Sequence, residues 1–219
     1  MTYNNIIFDL DGTLIDSARI TGAILDEMLA DRGVPGLADR GVIKAMDAVG
    51  GTAMIAAVLG RHTADPVADL EEFRRRHREI DVPRDVLFPG VAAALDILAA
   101  RGTGMAICSN KPQALCEKIL GDLGIADRFA GIFGSMPDRP RKPDPAGALL
   151  ALRALGSRAE TTLFCGDSAI DAETAAAAGM PMCLVGWGYG TAHAQAIHPD
   201  LPVIDEMADL LALVHDRGA

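Results

Sequence analysis

Apolar runs that alternate with helical stripes, each run closing on polar or acidic residues, predict an α/β fold: a doubly wound parallel sheet with an inserted helical domain. Three observations carry this. Ile6-Ile7-Phe8 with Leu10 is a nearly unbroken apolar run, the pattern of a strand buried on both faces of a parallel sheet. From Phe88 onward, runs and helical stripes alternate with regularity. Between about Asp16 and Arg84 no strand pattern interrupts the helical periodicity. The expected organisation is an α/β core from residues 1–15 and 85–219, with a helical insert from 16–84 between them.

The elements follow in order. Ile20, Ile24, Leu25, Met28 and Leu29 recur at helical spacing, and Gly33 with Pro35 marks the stop. Residues 41–60 carry a second helical pattern broken at Gly50-Gly51. Asp65-Pro66 supplies an N-cap and a first-turn proline for a helix whose inner stripe is Leu70, Phe73, His77 and Ile80. A helix begins near Pro89 and ends at Gly102, and Met105-Ala106-Ile107-Cys108 makes a strand that closes on Ser109-Asn110. The next helix runs from Pro112 to Gly124, and Gly131-Ile132-Phe133-Gly134 reads as a strand. Asp144-Pro145 opens a helix expected to bury Leu149, Leu152 and Leu155. Thr161-Thr162-Leu163-Phe164-Cys165 is a strand ending at Gly166-Asp167. An alanine-rich helix, a fifth strand Met182-Cys183-Leu184-Val185 and a closing helix around Met207, Leu210, Leu211 and Val214 complete the chain.

Bulk composition narrows the function classes. The chain has 219 residues, 50% of them hydrophobic and 23% charged, as in a folded soluble protein. A formal net charge of -10 argues against general nucleic-acid binding, which needs a basic face. A small anionic substrate stays compatible, because a bound metal and a few cations dominate a local field. Cys108, Cys116, Cys165 and Cys183 form no CxxC pair, and three lie in strand-like runs, which predicts buried free thiols in a reducing compartment. No signal-peptide pattern and no apolar stretch near the ~20 residues of a membrane helix is present, so no membrane association and a cytoplasmic location are expected. Monomer and homodimer are both open.

The chemistry concentrates at strand ends. Asp9 and Asp11 follow the first strand, and Gly12 lets the chain turn away. Open α/β sheets bind ligands at the carboxyl ends of their strands. One such acid reads equally well as a helix cap or turn residue, but two with Gly12-Thr13 behind them point to charge held in a site. An EF-hand loop also begins Asp-x-Asp but needs glycine sixth; that position is Leu14, which removes the calcium reading. Ser109-Asn110 ends the second strand, Lys142 lies in Arg141-Lys142-Pro143-Asp144-Pro145, and Gly166-Asp167-Ser168 with Asp171 follows the fourth strand. Singly, these read as a strand-end turn, a surface lysine and helix-capping acids.

Together they resemble the four motifs of the haloacid dehalogenase superfamily, in order and rough spacing, across the whole chain. Asp9-Leu10-Asp11-Gly12-Thr13 resembles the nucleophile motif, Ser109 the hydroxyl motif, Lys142 the lysine motif, and Gly166-Asp167-Ser168-x-x-Asp171 the acidic motif. The resemblance implies a Rossmann-like core with a cap after the first strand, as in the phosphoglycolate phosphatase and β-phosphoglucomutase group. It implies Mg²⁺ on Asp9, the backbone carbonyl of Asp11, and Asp167, with Asp171 orienting metal waters. Asp9 would attack phosphorus and Asp11 would move protons. Lys142 would bridge Asp9 and a phosphate oxygen, while Gly12, Thr13, Ser109, Asn110 and Lys111 would line the phosphate.

Three further signals are weaker. Gly186-x-Gly188-x-Gly190 is not GxGxxG and follows the last strand rather than the first, so it reads as a glycine-rich loop. Arg74-Arg75-Arg76-His77-Arg78 has Glu71, Glu72 and Glu79 nearby and reads as a solvated helix face. His193 and His198 lack the spacing of a metal pair.

Dehalogenases of the superfamily lack an acid where Asp11 stands, because a halide needs no proton, so phosphate esters are favoured. Ser109-Asn110-Lys111 resembles the phosphoglycolate phosphatase signature more than mutase patterns. The expected protein is a Mg²⁺-dependent phosphatase acting on a small phosphorylated metabolite through an aspartyl-phosphate. The alternatives are a sugar phosphomutase of the β-phosphoglucomutase type and a non-catalytic phosphometabolite sensor. Arg40, Lys44, Gly50 and Gly51 are the candidates for substrate selection in the cap.

Overall fold

The computed structural model describes residues 2–46 and 51–215. The chain divides into two units, one of residues 16–86 and one of residues 1–15 with 87–219. The 16–86 unit contains four α-helices among its described residues: α1 (Ser17–Asp31), α2 (Arg40–Ala45), α3 (Gly51–Leu59) and α4 (Pro66–Glu79). α1 buries Ile20, Ile24, Leu25, Met28 and Leu29, the stripe read from the sequence. It stops because Gly33, at φ 68°, lets the Val34 N–H turn back to the Leu29 carbonyl at 3.0 Å. Asp39 caps α2 by accepting from the Gly41 and Val42 N–H groups. Asp65 does the same for Val67 and Ala68 at the start of α4, where Pro66 sits in the first turn. α4 buries Leu70, Phe73 and His77, while Ile80 is half-buried beyond its end. Its outer face pairs Arg74 with Glu71, and Arg75 with Glu72 and Glu79.

The unit ends at Val86 rather than at the expected residue 84. Arg84–Val86 forms a 3-10 turn with Val86 buried, and the Asp16 N–H donates to the Val86 carbonyl at 2.7 Å. That closure keeps the turn with the helices.

In the other unit six strands form one parallel sheet: β1 (Asn5–Phe8), β2 (Gly104–Pro112), β3 (Ile132–Ser135), β4 (Thr162–Gly166), β5 (Met182–Val185) and β6 (Val203–Ile204). Their spatial order is β3-β2-β1-β4-β5-β6. The chain builds outward on one side of β1, then crosses back and builds outward on the other. The reversal lies between β1 and β4, and the crevice beyond their carboxyl ends is where such sheets bind ligands. β1 pairs on both sides, Phe8 standing beside Ile107 and beside Cys165.

The helices are α5 (Val91–Ala100), α6 (Gln113–Asp122), α7 (Ala146–Ala154), α8 (Ala169–Ala177) and α9 (Thr191–Ile197). Ile7, Ala106, Cys108, Phe164, Met182 and Leu184 form one core cluster with Ala148, Ala151 and Leu152 of α7, Ala172 and Ala175 of α8, and Ala194 of α9. Alternation along the strands turns Ile6, Phe8 and Ile107 to the opposite face, where Phe8 meets Phe129 edge to face at 6.5 Å. All four cysteines are buried free thiols. No described helix is long and apolar enough to cross a membrane.

Four readings of this unit are corrected. Leu149 is 42% exposed rather than inside, and α7 faces the core with Gly147, Ala148, Ala151 and Leu152. The helix lies so close to β2 that a Cβ on Gly147 would stand 3.0 Å from Cys108 Sγ, so small residues take the inner stripe. A sixth strand follows Pro202; two residues are too short for a periodicity signal. The final segment is a 3-10 helix over Met207–Ala212, capped by Glu206 and Asp209, rather than an α-helix. β2 runs on to Pro112, with a register shift between Cys108 and Pro112. Ser109, Asn110 and Lys111 therefore sit on irregular strand, not after it.

Candidate active site

β1 delivers Asp9 to the crevice, and the Asp9 N–H donates to the Cys165 carbonyl of β4 at 2.9 Å. This bond fixes the backbone under the carboxylate. Asp9 is 7% exposed, and Lys142 Nζ stands 2.8 Å from its Oδ1. Lys142 is itself buried and also donates to Asp171 Oδ1 at 2.5 Å. Burial favours the neutral form of each group. For Asp9 desolvation wins over the attraction of Lys142, and its pKa is pushed up to about 6. For Lys142 the reverse holds: burial lowers it, but the charges of Asp171 and Asp9 raise it further, so the ammonium form persists.

Asp171 is fully buried in the first turn of α8. Its Oδ2 accepts from the Asp167 N–H at 3.3 Å, the Ser168 N–H at 3.1 Å and the Ser168 hydroxyl at 2.6 Å. It is a helix-capping acid, closing a capping box with Ser168, and also the anchor of Lys142. Close approach requires glycine at Gly166, where a Cβ would lie 2.7 Å from the Asp171 side chain.

Asp167 completes the cluster. Single carboxylate oxygens of Asp9, Asp167 and Asp171 all lie within 4.8 Å of one another, and each residue is buried. Three carboxylates and one ammonium give this cluster a formal charge of -2. An all-oxygen donor set of that charge suits a hard divalent cation and offers nothing to a soft one. The site can hold a metal ion.

Asp11 lies at the edge of this group, and Lys111 Nζ reaches both of its oxygens at 2.9 and 3.1 Å. Ser109 is buried, and its hydroxyl accepts from the Lys111 N–H at 3.3 Å. The Asn110 side chain is engaged by the backbone of Lys142. Its Nδ2 donates to the Lys142 carbonyl at 3.0 Å and its Oδ1 accepts from the Lys142 N–H at 2.8 Å. The Lys142–Pro143 peptide bond is cis. Gly12 (φ 75°) turns the chain past Asp167, where a Cβ would come within 2.6 Å of Oδ2. Thr13 is wholly buried.

The structure thus brings Asp9, Asp11, Gly12, Thr13, Ser109, Asn110, Lys111, Lys142, Asp167 and Asp171 to one end of the sheet. The four cap candidates belong to the 16–86 unit. Arg40 there pairs with Asp26, its Nη2 2.5 Å from Oδ2, and donates to the Ala38 carbonyl at 3.0 Å. Lys44 is exposed on α2, Gly51 opens α3 at φ 59°, and Gly50 lies outside the described residues. Sequence reasoning gave no site role to the Gly186–Gly190 loop after β5. The Gly190 N–H donates to Asp167 Oδ2 at 3.0 Å. Its only signal was the glycine spacing.

Carboxylates converging on a lysine at the switch point of a doubly wound sheet define an α/β enzyme. Residues 3–179 match the haloacid dehalogenase-like hydrolases, and the chain belongs to that family. It is 34% identical over 214 residues to a phosphoglycolate phosphatase of Rhodospirillum rubrum, spanning 94% of this chain and 88% of that one. It is 37% identical over 215 residues to a phosphoglycolate phosphatase of Yersinia pseudotuberculosis, covering 95% and 92%. Among solved structures, a predicted phosphoglycolate phosphatase from Haemophilus somnus superposes with a TM-score of 0.81 at 25% identity, over 97% of this chain and 98% of that one.

Proposed function

We propose that the protein is a Mg²⁺-dependent phosphatase that hydrolyses a small phosphomonoester of the phosphoglycolate type through an aspartyl-phosphate on Asp9. The observation that carries this reading is the different placement of two aspartates two residues apart. Asp9 is buried against Lys142, and Asp11 stands at the edge of the cluster with Lys111. A carboxylate attacks without a base, so Asp9 is suited to be the nucleophile. Asp9 Oδ forms a bond to phosphorus as the ester P–O bond breaks, and Asp11, in its protonated form and released from Lys111, gives its proton to the departing alkoxide. Asp11, now a carboxylate, takes a proton from water as that water attacks the phosphorus of the aspartyl-phosphate. The P–O bond to Asp9 breaks, inorganic phosphate leaves, and both aspartates return to their starting forms.

Lys142 holds positive charge beside Asp9 throughout, offsetting the phosphoryl oxygens. Asp9, Asp167 and the Asp11 carbonyl would hold Mg²⁺, which would supply further charge neutralisation there. Ser109 and the backbone of the irregular 109–111 segment are suited to take the remaining phosphoryl oxygen. The relatives' names supply the substrate class, and the 16–86 unit is proposed as the cap that selects within it. Purified protein assayed against a panel of phosphorylated metabolites, phosphoglycolate among them, tests the reading by phosphate release. Release from none of them, or release undiminished in folded Asp9→Asn protein, would overturn it.

A further inference from the structure

The loop after β5, Trp187-Gly188-Tyr189-Gly190, contacts the ends of both strands that carry the acidic cluster. On the β4 side, Gly190 N–H holds Asp167 Oδ2 at 3.0 Å, and Thr191 Oγ1 lies 3.4 Å from the Asp167 carbonyl. Gly188 is packed against the same residue: a Cβ there would fall 2.1 Å from Asp167 Cβ and 2.8 Å from Thr191 Oγ1. No side chain fits in that space unless Asp167 moves. On the β1 side, Trp187 Nε1–H donates to the Thr13 carbonyl at 3.1 Å. The indole also packs on Phe88, ring centroids 6.1 Å apart, and Tyr189 packs on the same ring at 6.4 Å. Thr191, where the loop enters α9, is pinned in turn by donating to the Val185 carbonyl at 2.5 Å.

We infer that Trp187–Gly190 is the positioning element of the divalent-cation site. It packs closely against Asp167 through Gly188, engages one carboxylate oxygen through the Gly190 N–H, and ties the loop to the Asp9–Thr13 turn through Trp187. A metal-binding carboxylate is oriented by a partner of its own, and this hydrogen bond orients Asp167. These are positioning residues; they act through Asp167. The inference rests on the proposed metal site, and the glycine spacing G-x-G-x-G is its sequence trace. Gly186, the first of the three, differs from the others. Its added Cβ would meet Asp205 Oδ1 at 3.1 Å, the Ile204 carbonyl at 3.3 Å and Val203 Cγ1 at 3.6 Å, all nearer to it than any atom of Asp167.

The three glycines therefore form a graded test, read by calorimetric titration of metal-free protein with Mg²⁺ alone. Gly188→Ala is expected to weaken Mg²⁺ binding by roughly 10–100-fold, the usual loss when a ligand's supporting contact is removed. Gly190→Ala, whose Cβ would have 3.1 Å to the Asp167 carbonyl, should lose less, and Gly186→Ala should bind as wild type. Trp187 is the single tryptophan of the chain, so its emission gives a second readout. Mg²⁺ should shift it in wild type and Gly186→Ala, with the half-saturation point displaced upward in Gly188→Ala. A general loss of structure would instead lower the melting temperature in EDTA without this ordering. Should Gly188→Ala fail to fold, Gly190→Ala carries the test. Wild-type Mg²⁺ affinity in folded Gly188→Ala or Gly190→Ala, or equal losses in all three, overturns the inference and leaves the metal site standing. A wild-type protein that binds no Mg²⁺ overturns both.

Discussion

Asn110 holds Lys142 by both sides of its backbone, donating to its carbonyl at 3.0 Å and accepting from its N–H at 2.8 Å. This clamp joins β2 to the loop before α7 and sets where the buried ammonium emerges between Asp9 and Asp171. Asn110→Ala removes no charge, yet it frees the segment that carries Lys142. Displacements of about 1 Å at such a position cost up to about 10²-fold, and the expected result is a fall of that order in kcat/KM. Steady-state kinetics on a phosphomonoester will show it. Activity unchanged in Asn110→Ala means the ammonium is placed by Asp9 and Asp171 alone.

Arg40, a candidate for substrate selection, is held in an ion pair with Asp26. Burial would raise the Asp26 carboxyl, but the Arg40 guanidinium and the Ala38 N–H hold it below its usual value. Arg40 joins α1 to α2 and packs where a Cβ on Gly22 would stand 2.2 Å from its Cζ. Arg40→Ala should therefore lower the melting temperature, at the about 0.5–1 kcal/mol of a partly exposed pair, and leave KM unchanged. The contribution should fade below about pH 4, as Asp26 takes up its proton. A raised KM at unchanged melting temperature would make Arg40 a substrate residue instead.

How much of this was legible in the residues depends on what kind of signal each feature leaves. Buried parallel strands such as Ile6-Ile7-Phe8 leave an apolar run, and capped helix starts such as Asp65-Pro66 leave a local pair, so both could be read. β6 has two residues and leaves neither. Leu149 was misplaced because the inner stripe of α7 is chosen by the closeness of Cys108, a contact from far along the chain. Asp9, Asp11, Lys142, Asp167 and Asp171 could be named because together, in order and rough spacing, they resemble the four motifs of the haloacid dehalogenase superfamily. The clamp of Asn110 on Lys142 spans 32 residues and the Gly190 bond to Asp167 spans 23. Partnerships made by the fold have no counterpart in neighbouring letters.

Burying Asp9 has a measurable effect on the metal-free protein. Its pKa rises from about 3.9 unfolded to about 6 folded, because desolvation outweighs Lys142. The folded state then holds more protons between those values, so stability falls as pH rises from about 4 to 6. Asn at this position has no charge to desolvate. In EDTA at pH 7.5, Asp9→Asn should be more stable than wild type by on the order of 1–3 kcal/mol, with the difference shrinking towards pH 4. Saturating Mg²⁺ should narrow or reverse it if Asp9 is one of the proposed ligands, since Asn would then bind the ion less well. Urea unfolding at the two pH values checks this. A wild type as stable as Asp9→Asn in EDTA at pH 7.5 would show that the buried charge is already compensated.

The two aspartates can be separated by the leaving group. If Asp11 supplies the proton, its loss should harm a substrate according to how basic the departing oxygen is. An alkyl phosphate departs as a strongly basic alkoxide and needs a proton in the transition state, while a nitrophenyl phosphate departs as a weak base and needs little help. Asp11→Asn should therefore slow the first step for alkyl esters by up to roughly 10²–10⁴-fold and leave the aryl burst nearly intact. The second step suffers for both, because water loses its base, so phosphoenzyme should accumulate with the aryl ester. Asp11→Asn also removes a charge from Lys111, whose ammonium lies 2.9 and 3.1 Å from the two Asp11 oxygens. Lys111→Met serves as the control, since it alters the same ion pair while keeping the carboxylate. Rapid-quench measurement of the nitrophenol burst and of trapped phosphoprotein decides the matter. Equal slowing of both ester classes with no trapped phosphoenzyme would remove Asp11 from proton transfer, and the same leaving-group dependence in Lys111→Met would assign the effect to the ion pair.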